Sequence, residues 1–278
     1  MTDETARTVA VVGATGQVGQ VVVRDADARG LAVRGVSRSV PADDDPRRAA
    51  GATYSAVDVL GAAQEPTVAA LATAFEGADA VVLATNATAG DLDVYRTGTR
   101  RVVEAAGRAG VRRLVVLSIA NVDQGTDYPY YAAHAEQNEI ALAGPVPATV
   151  VRATQFHTFL AYVRSVPPAR TLTRLGLLPY PRGTRFQTID VRDVARLLVD
   201  ATSDDGPARA VDVGGPQVRD AKDLVHAERA ARGSRRVPVG VRVPGPVGTF
   251  FREGRNLVPD HHEGRITFDE WLRSGDGV

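Results

Sequence analysis

Short apolar runs alternate with longer amphipathic stretches over the first 120 residues. The runs are continuously apolar, which is typical of strands buried on both faces of a sheet. They predict strands at Thr8–Val12, Ala32–Ser37, Thr53–Val57, Ala80–Ala84 and Leu114–Ser118. The stretches between them predict helices at Gln17–Arg29, Pro66–Phe75 and Asp93–Ala109. Strands and helices in alternation predict right-handed crossovers and an open, doubly wound parallel α/β sheet.

After residue 120 the same pattern continues and then loosens. It predicts helices at Tyr130–Ala143, Asp193–Thr202 and Asp220–Arg232, and strands at Ala148–Ala153 and Ala210–Val213. From Ser234 onward, the prolines exclude one long regular element. Thr267 and Glu270 have the spacing of a capping box, which predicts a last short helix.

Composition excludes several classes of function. The 278 residues balance 33 basic against 33 acidic side chains, which gives no support for a nucleic-acid or anionic-membrane partner. The absence of cysteine excludes disulfides, thiolate metal sites and cysteine nucleophiles. Lys222 is the only lysine, so neither a P-loop nor a protein-kinase site is present. No apolar run approaches 18 residues and Met1–Arg7 is polar, so we expect a cytoplasmic protein without a membrane span.

The strongest motif is a glycine-rich turn between the first strand and the first helix. Gly13, Gly16 and Gly19 stand in Gly13-Ala14-Thr15-Gly16-Gln17-Val18-Gly19. Glycines at such a turn let the backbone approach a pyrophosphate, while free amides and the helix dipole supply positive potential. The alternative is a glycine turn that only allows tight packing. The strand before and the helix after favour a dinucleotide site.

The end of the second strand indicates which dinucleotide is bound. NAD sites place an acidic residue there for the ribose 2′-hydroxyl, whereas NADP sites use an arginine for the 2′-phosphate. Here the segment is Val36-Ser37-Arg38-Ser39, with no acid before Asp43. Arg38 can bind a phosphate through two hydrogen bonds, with Ser37 beside it. The pattern favours NADP(H) over NAD(H), and the alternative is an arginine with no role beyond the surface.

Several motifs together resemble the atypical short-chain dehydrogenase/reductases of the NmrA-like, NAD(P)H-binding kind. They are Gly13–Gly19, Ser37-Arg38, Asp58-Val59, Val115–Ser118, Tyr130-Tyr131 with His134, Arg152-Ala153-Thr154-Gln155-Phe156 and Gly264–Leu272. The resemblance covers nearly the whole chain. It implies a Rossmann-type core at residues 1–156. It also implies that residues 157–278 complete the sheet and form a small substrate-binding subdomain within a single structural unit.

The resemblance also implies roles for individual residues. The glycine turn, with Thr15, Gln17 and Val18, would hold the cofactor. Asp58 would bond to the adenine. The ribose would be bordered by Ala84, Thr85 and Asn86. Gln155 and Phe156 would line the nicotinamide side. Ser118 and Tyr130 lie where the family has its catalytic serine and tyrosine. Asp58 is otherwise a turn residue, Phe156 a core residue, and Ser118 a strand-end hydroxyl bonded to backbone.

One position departs from the family pattern. The family's lysine, four residues after the tyrosine and on the same helix face, lowers the tyrosine pKa and holds the ribose. Here that position is His134, and Asn138 follows it by four residues. Histidine is mostly neutral at pH 7, so the expected electrostatic help to Tyr130 is partial.

Three functions remain open at this point. The first is an oxidoreductase that transfers a hydride to or from a small carbonyl, enone or quinone, with Tyr130, Ser118 and His134 as catalytic residues. The second is a redox sensor that binds NADP(H) without turnover. The third is a redox-neutral enzyme that keeps the dinucleotide bound.

The remaining candidates concern the substrate and metals. Tyr131 and His157 are the predicted substrate contacts, although His157 is equally consistent with a loop residue. His261-His262 with Glu263 lacks a second ligand pair at helical spacing, so we expect no metal. The expected partner is a small-molecule substrate, and the sequence leaves its identity and the oligomeric state open.

Overall fold

The computed structural model describes residues 7–87 and 91–275, so nearly all of the polar segment Met1–Arg7 lies outside the described residues. Contacts divide the chain into two compact units. Unit 1 comprises Met1–Ser118, Ala133–Arg152 and Val194–Val211. Unit 2 comprises Ile119–Ala132, Ala153–Asp193 and Asp212–Val278. This division is discontinuous along the chain, whereas the sequence-based division was a single boundary after residue 156.

The described residues form strands and helices that alternate through the first two thirds of the chain. The strands are β1 (Thr8–Val12), β2 (Ala32–Ser37), β3 (Ala52–Ala56), β4 (Ala80–Leu83), β5 (Arg113–Ile119), β6 (Ala148–Ala153), β7 (Leu177–Pro181), β8 (Arg185–Phe186), β9 (Arg209–Val213), β10 (Arg219–Asp220) and β11 (Val237–Val241). The helices are α1 (Gly19–Ala28), α2 (Gln64–Phe75), α3 (Thr99–Arg108), α4 (Pro129–Leu142), α5 (Phe159–Ser165), α6 (Ala169–Arg174), α7 (Val191–Ala201), α8 (Ala221–Ala231), α9 (Gly245–Arg252) and α10 (Phe268–Arg273).

A seven-stranded sheet confirms the predicted doubly wound α/β fold. Its strand order is β3-β2-β1-β4-β5-β6-β9, with helices on both faces. β1 pairs in parallel with β2 on one side, where Val9 faces Val33, and with β4 on the other, where Val9 faces Ala80. The strand order reverses direction between β1 and β4. In such sheets ligands bind in the crevice outside the carboxyl ends of the strands at this point.

The core of unit 1 is built from the apolar faces that the sequence pattern predicted. Leu71 of α2, Val102 of α3 and Val81 of β4 are fully buried in one cluster. Full burial of such side chains contributes about 1.5–3 kcal/mol each. The predicted helix Asp93–Ala109 is not α-helical throughout, because a π-helical turn at Val94–Gly98 leads directly into α3.

Unit 2 contains the elements that the pattern did not predict. β7 pairs in parallel with β11, and β8 pairs antiparallel with β10. The capping box before α10 is confirmed, since the hydroxyl of Thr267 accepts from the Glu270 amide and the Glu270 carboxylate accepts from the Thr267 amide. Arg164 and Glu228 form a buried ion pair at 2.6 Å.

Among the described residues, no helix is both long and apolar enough to cross a bilayer.

Candidate functional site

The turn between β1 and α1 requires glycine for steric reasons. Gly13 has φ of +84°, and a Cβ there would lie 2.8 Å from the carbonyl oxygen of Ala84. A Cβ on Gly19 would lie 2.1 Å from the carbonyl oxygen of Gly13. The Gly13 amide donates to the Val36 carbonyl at 2.8 Å and ties the turn to β2. Two glycines of the motif are therefore fixed by backbone packing within unit 1.

The same turn offers hydrogen-bond donors to an anion. Helix α1 begins at Gly19, has no acidic residue in its first turn and has no side-chain cap at Val18. Within the described part of the chain, the amides of Thr15 and Val18 have no hydrogen-bond acceptor. Gly16 and Gln17 are exposed. Free amides at a positive helix end fit the diphosphate of a dinucleotide.

The end of β2 presents an exposed arginine. Arg38 is exposed and forms no ion pair or hydrogen bond with any residue that the structure describes. Ser37 is buried, and its hydroxyl donates to the Ser39 carbonyl at 2.7 Å. Arg38 is thus available to a phosphate group, whereas the Ser37 proton is already used by the chain.

The loop after β3 is held by a buried guanidinium. The exposed Asp58 accepts from the Leu60 amide at 2.9 Å through Oδ1, which is the turn role that the sequence left open. Arg101 of α3 donates to the carbonyls of Val59 and Gly61, both at 2.9 Å. Asp58 therefore sits in an ordered loop, and its contact with adenine stays a prediction.

Buried hydroxyls lie at the carboxyl ends of two neighbouring strands. Thr85 follows β4, and Ser118 lies near the end of β5. The hydroxyl oxygens of both side chains are buried, and neither has a hydrogen-bond partner among the described residues. Ser118 therefore does not bond to backbone, which was its alternative role. Because β4 and β5 are adjacent and parallel, both hydroxyls belong to the edge of the sheet where such folds bind ligands. Orphaned polar groups at this edge fit a hydroxylated ligand such as a ribose.

Tyr95 in the π-helical turn links the loop after β4 to His134. Its hydroxyl donates to Oδ1 of the exposed Asn86 at 2.8 Å and accepts from the Ala87 amide at 3.0 Å. Its ring lies 4.0 Å from the imidazole of His134, measured between centroids. The buried Ala84 precedes this loop. Asn86 and His134, which the sequence singled out separately, are thus joined through one fully buried side chain.

His134 is buried and neutral. Only 5% of it is exposed, and burial lowers its pKa to about 3 against the opposing effect of a hydrogen bond with Gln137. An imidazole with this pKa carries no charge near pH 7. The sequence pattern did not reveal this burial, which leaves His134 with less positive charge to offer Tyr130 than the sequence suggested.

The tyrosines at the start of α4 differ in their surroundings. Tyr130 is half-buried, and its ring centroid lies 6.0 Å from those of Tyr128 and Tyr131. Tyr131 is 5% exposed and packs edge-on against Phe250 at 5.0 Å. Burial raises the pKa of Tyr131. Tyr130 keeps an accessible ring, whereas the packing of Tyr131 leaves little surface for the predicted substrate contact.

The segment after β6 holds three candidates in different environments. Oε1 of Gln155 accepts from Nδ2 of Asn256 at 3.2 Å, and Phe156 is half-buried beside Ile189. His157 is buried with Nε2 3.0 Å from the Ile266 carbonyl and Nδ1 2.8 Å from the Thr188 hydroxyl. Both ring nitrogens of His157 are thus used inside unit 2. Its predicted contact with a substrate stays a prediction.

Sequence reasoning missed three side chains that organise these segments. In the sequence, Tyr95 resembles an ordinary core residue on the apolar face of a helix. Arg101 follows Arg100 and resembles an exposed charged residue. Neither pattern indicates the buried contacts that the two side chains make. Asn256 lies in a proline-interrupted region without periodicity. Among the described residues no three histidine or acidic side chains form a metal cluster, and His261 pairs with Glu263 at 3.0 Å.

Comparisons with known proteins agree with this geometry. A family described as NAD(P)H-binding matches residues 13–205, more than half of the chain. A curated relative from Streptomyces griseus subsp. griseus, (4-alkanoyl-5-oxo-2,5-dihydrofuran-3-yl)methyl phosphate reductase, is 34% identical over 158 residues, which are 56% of this chain and 52% of the relative. The chain thus spans about half the length of that relative.

Solved structures share the fold. The Escherichia coli NADPH-dependent quinone oxidoreductase QOR2 complexed with NADPH has a TM-score of 0.73 at 17% identity, covering 96% of this chain and 99% of that one. Bordetella bronchiseptica WbmG in complex with NAD has a TM-score of 0.68 at 15% identity, covering 98% and 94%. At these identities the likeness establishes the fold alone. The family match, which covers more than half of the chain, shows that the chain belongs to the family described as NAD(P)H-binding.

Proposed function

We propose that the protein is an NADP(H)-dependent oxidoreductase that reduces an activated carbon–carbon double bond, as in an enone or a quinone. The observation that carries the cofactor assignment is the exposed Arg38 at the end of β2, which has no partner among the described residues. It lies in the same unit as the amides of Thr15 and Val18, which have no acceptor in the described part of the chain. The amides suit a diphosphate, and a guanidinium suits a 2′-phosphate.

The neutral His134 supports an activated alkene over a simple ketone. Reduction of a ketone produces an alkoxide, a strong base that requires an acidified tyrosine. Reduction of an alkene conjugated to carbonyls produces an enolate, which is less basic and accepts a proton from a weaker acid. With the pKa of His134 at about 3, no cation stands four residues after Tyr130 to acidify it. This chain therefore supports reduction of a conjugated alkene, which needs the weaker acid.

The relative from Streptomyces griseus supports the same substrate class. Its named substrate contains a ring double bond conjugated to both a ring carbonyl and an alkanoyl group. The reduced nicotinamide, when bound, supplies the hydride. In the proposed mechanism the hydroxyl of Tyr130 delivers the proton. Ser118 offers a substrate oxygen its hydroxyl, which has no partner among the described residues.

A panel of acceptors tests the proposal. Purified protein with NADPH is offered an α-acyl butenolide, a quinone and an unconjugated ketone, and oxidation is followed at 340 nm. We expect turnover of the conjugated acceptors, with the ketone at least about tenfold slower because it demands the stronger acid. Binding of NADPH without turnover of any acceptor would contradict the proposal and favour the redox-sensor alternative.

Substitution of Arg38 tests the cofactor assignment in the same assay. Arg38→Ala should weaken NADPH binding by about 10- to 100-fold, the range for loss of a hydrogen bond to a charged group, and leave NADH binding unchanged. Arg100→Ala removes another exposed arginine of unit 1 and should change neither affinity. Equal losses for NADPH and NADH would show that Arg38 does not bind the 2′-phosphate.

A further inference from the structure

The side-chain amide of Gln155 is held in one orientation by Asn256. Nδ2 of the fully buried Asn256 donates to the Arg185 carbonyl at 2.9 Å and to Oε1 of Gln155 at 3.2 Å. All three residues belong to unit 2. The contacts therefore fix the direction in which the Gln155 amide points.

The orientation follows from donor and acceptor chemistry. A backbone carbonyl only accepts, so the Asn256 atom that faces Arg185 must be the amide nitrogen. An amide nitrogen only donates, so the Gln155 atom that faces it must be the oxygen. The NH₂ group of Gln155 is consequently the end that points away from Asn256.

That NH₂ group has no acceptor among the described residues. Gln155 is 92% buried, with 8% of it exposed. Gln187, another buried glutamine of unit 2, behaves differently. Its nitrogen donates to the carbonyls of Gly215 and His261, and its oxygen accepts from the Val258 amide. Gln187 is a structural amide, whereas Gln155 has an unused donor.

We infer that Gln155 donates a hydrogen bond from Nε2 to the substrate carbonyl oxygen that is conjugated to the reacting double bond. Gln155 follows β6 by two residues, at the carboxyl edge of the sheet where ligands bind in this fold. A fixed amide donor aimed at an oxygen that gains negative charge stabilises the transition state. The inference deepens the proposed function and rests on it.

The reaction balances as a conjugate reduction. A hydride forms the new C–H bond at the β-carbon, the carbon–carbon π bond breaks, and its electron pair moves onto the carbonyl oxygen that Gln155 contacts. The α-carbon then takes a proton from Tyr130, which regains one from solvent. The substrate is reduced by two electrons as the nicotinamide is oxidised by two.

Amide NMR tests the contact without turnover. In ¹⁵N-glutamine-labelled protein, the Gln155 NH₂ signal is assigned by its loss in Gln155→Glu. Gln155→Glu keeps the oxygen that faces Asn256 and replaces the donor by an acceptor. We expect an α-acyl butenolide, added with NADP⁺, to shift the Gln155 signal and leave that of Gln187 in place. An unshifted Gln155 signal would overturn the inference. The full shift with NADP⁺ alone would also overturn it, because the Gln155 amide would then donate to the cofactor.

Kinetics with the same variant give a second readout. Gln155→Glu should lower kcat for the butenolide by about 100-fold, the lower range for loss of one oxyanion donor, with the affinity for NADPH unchanged. Gln217→Glu places the same charge at an exposed position of unit 2 and should retain wild-type kinetics. Equal rates for the two variants would overturn the inference. If the wild type itself fails to oxidise NADPH, the proposed function fails, while the NMR shift still decides the binding role of Gln155.

Discussion

At the scale of single residues, position along the chain was predictable and environment was not. The four-residue spacing from Tyr130 to His134 is plain in the sequence, but the ring of Tyr95 that covers His134 comes from another element. Likewise, His157 follows the nicotinamide-side motif, yet Thr188 and Ile266 use both of its nitrogens. Long-range partners therefore decided which candidate side chains remain available for chemistry.

The burial of His134 predicts a pH-dependent stability. Because its pKa is lowered from 6.5 to about 3, the unfolded chain binds its proton at a higher pH than the folded one. Stability is therefore full above pH 6.5 and falls as the pH drops from 6.5 toward 3, by at most about 1.4 kcal/mol per pH unit.

Urea unfolding at pH 7 and pH 5 measures this effect. In His134→Gln the loss of unfolding free energy between the two pH values should be smaller than in wild type by about 1–2 kcal/mol. The exposed His226 provides the control, since His226→Gln should keep the wild-type loss. Burial also lowers the pKa of His157, so His157 adds to the loss of stability at pH 5 in the wild type and in both variants. An unchanged loss in His134→Gln would contradict a neutral His134.

At the scale of elements, buried strands were predicted well because their apolar runs are short and continuous. The seven strands of the main sheet end within one residue of their predicted bounds. The π-helical turn at Val94–Gly98 was not predictable, since one extra residue in a helical turn leaves no periodic signal. β7 and β11 were also missed, because Pro179, Pro181 and Pro238 interrupt their apolar pattern.

The glycines of the β1–α1 turn should separate folding from binding. A Cβ on Gly16 meets only the Gly13 carbonyl oxygen, at 3.1 Å, so Gly16→Ala should lower the unfolding free energy by less than about 1 kcal/mol. The added methyl group lies on the exposed side of the turn, where a diphosphate must approach closely, so NADPH affinity should fall about tenfold or more.

Gly19→Ala is the contrasting variant. Its Cβ would lie 2.1 Å from the oxygen and 2.7 Å from the carbon of the Gly13 carbonyl, so backbone must move. We expect lower affinity together with a clear loss of thermal stability. Calorimetry of NADPH binding and thermal unfolding of both variants provide the comparison. Wild-type affinity in Gly16→Ala would show that the diphosphate does not approach this turn.

At the scale of the whole molecule, unit 2 is assembled from three separate stretches of the chain. Asp193 illustrates how they are joined, because its Oδ2 accepts from the amides of Arg265 and Ile266 at 2.8 and 2.9 Å. Gln187 likewise accepts from the Val258 amide. The sequence does not reveal such pairings, since they connect residues more than 70 positions apart.

Removing the Asp193 carboxylate should loosen the carboxyl-terminal stretch. Asp193→Ala leaves two backbone amides without their acceptor, so we expect the unfolding free energy to fall by about 2–3 kcal/mol. Hydrogen exchange at Arg265 and Ile266 should accelerate by at least about tenfold, as local opening becomes easier. Asp260→Ala, at an exposed position of the same stretch, should leave both measurements unchanged. Unaltered exchange in Asp193→Ala would contradict this role.

The contact of Tyr95 with both Asn86 and His134 has a spectroscopic consequence. An aromatic ring 4.0 Å from an imidazole imposes a ring-current field on its carbon-bound protons. A ribose that draws Asn86 away from the Tyr95 hydroxyl would tilt that ring and change the field. The proton resonances of His134 would then report occupancy of the loop after β4.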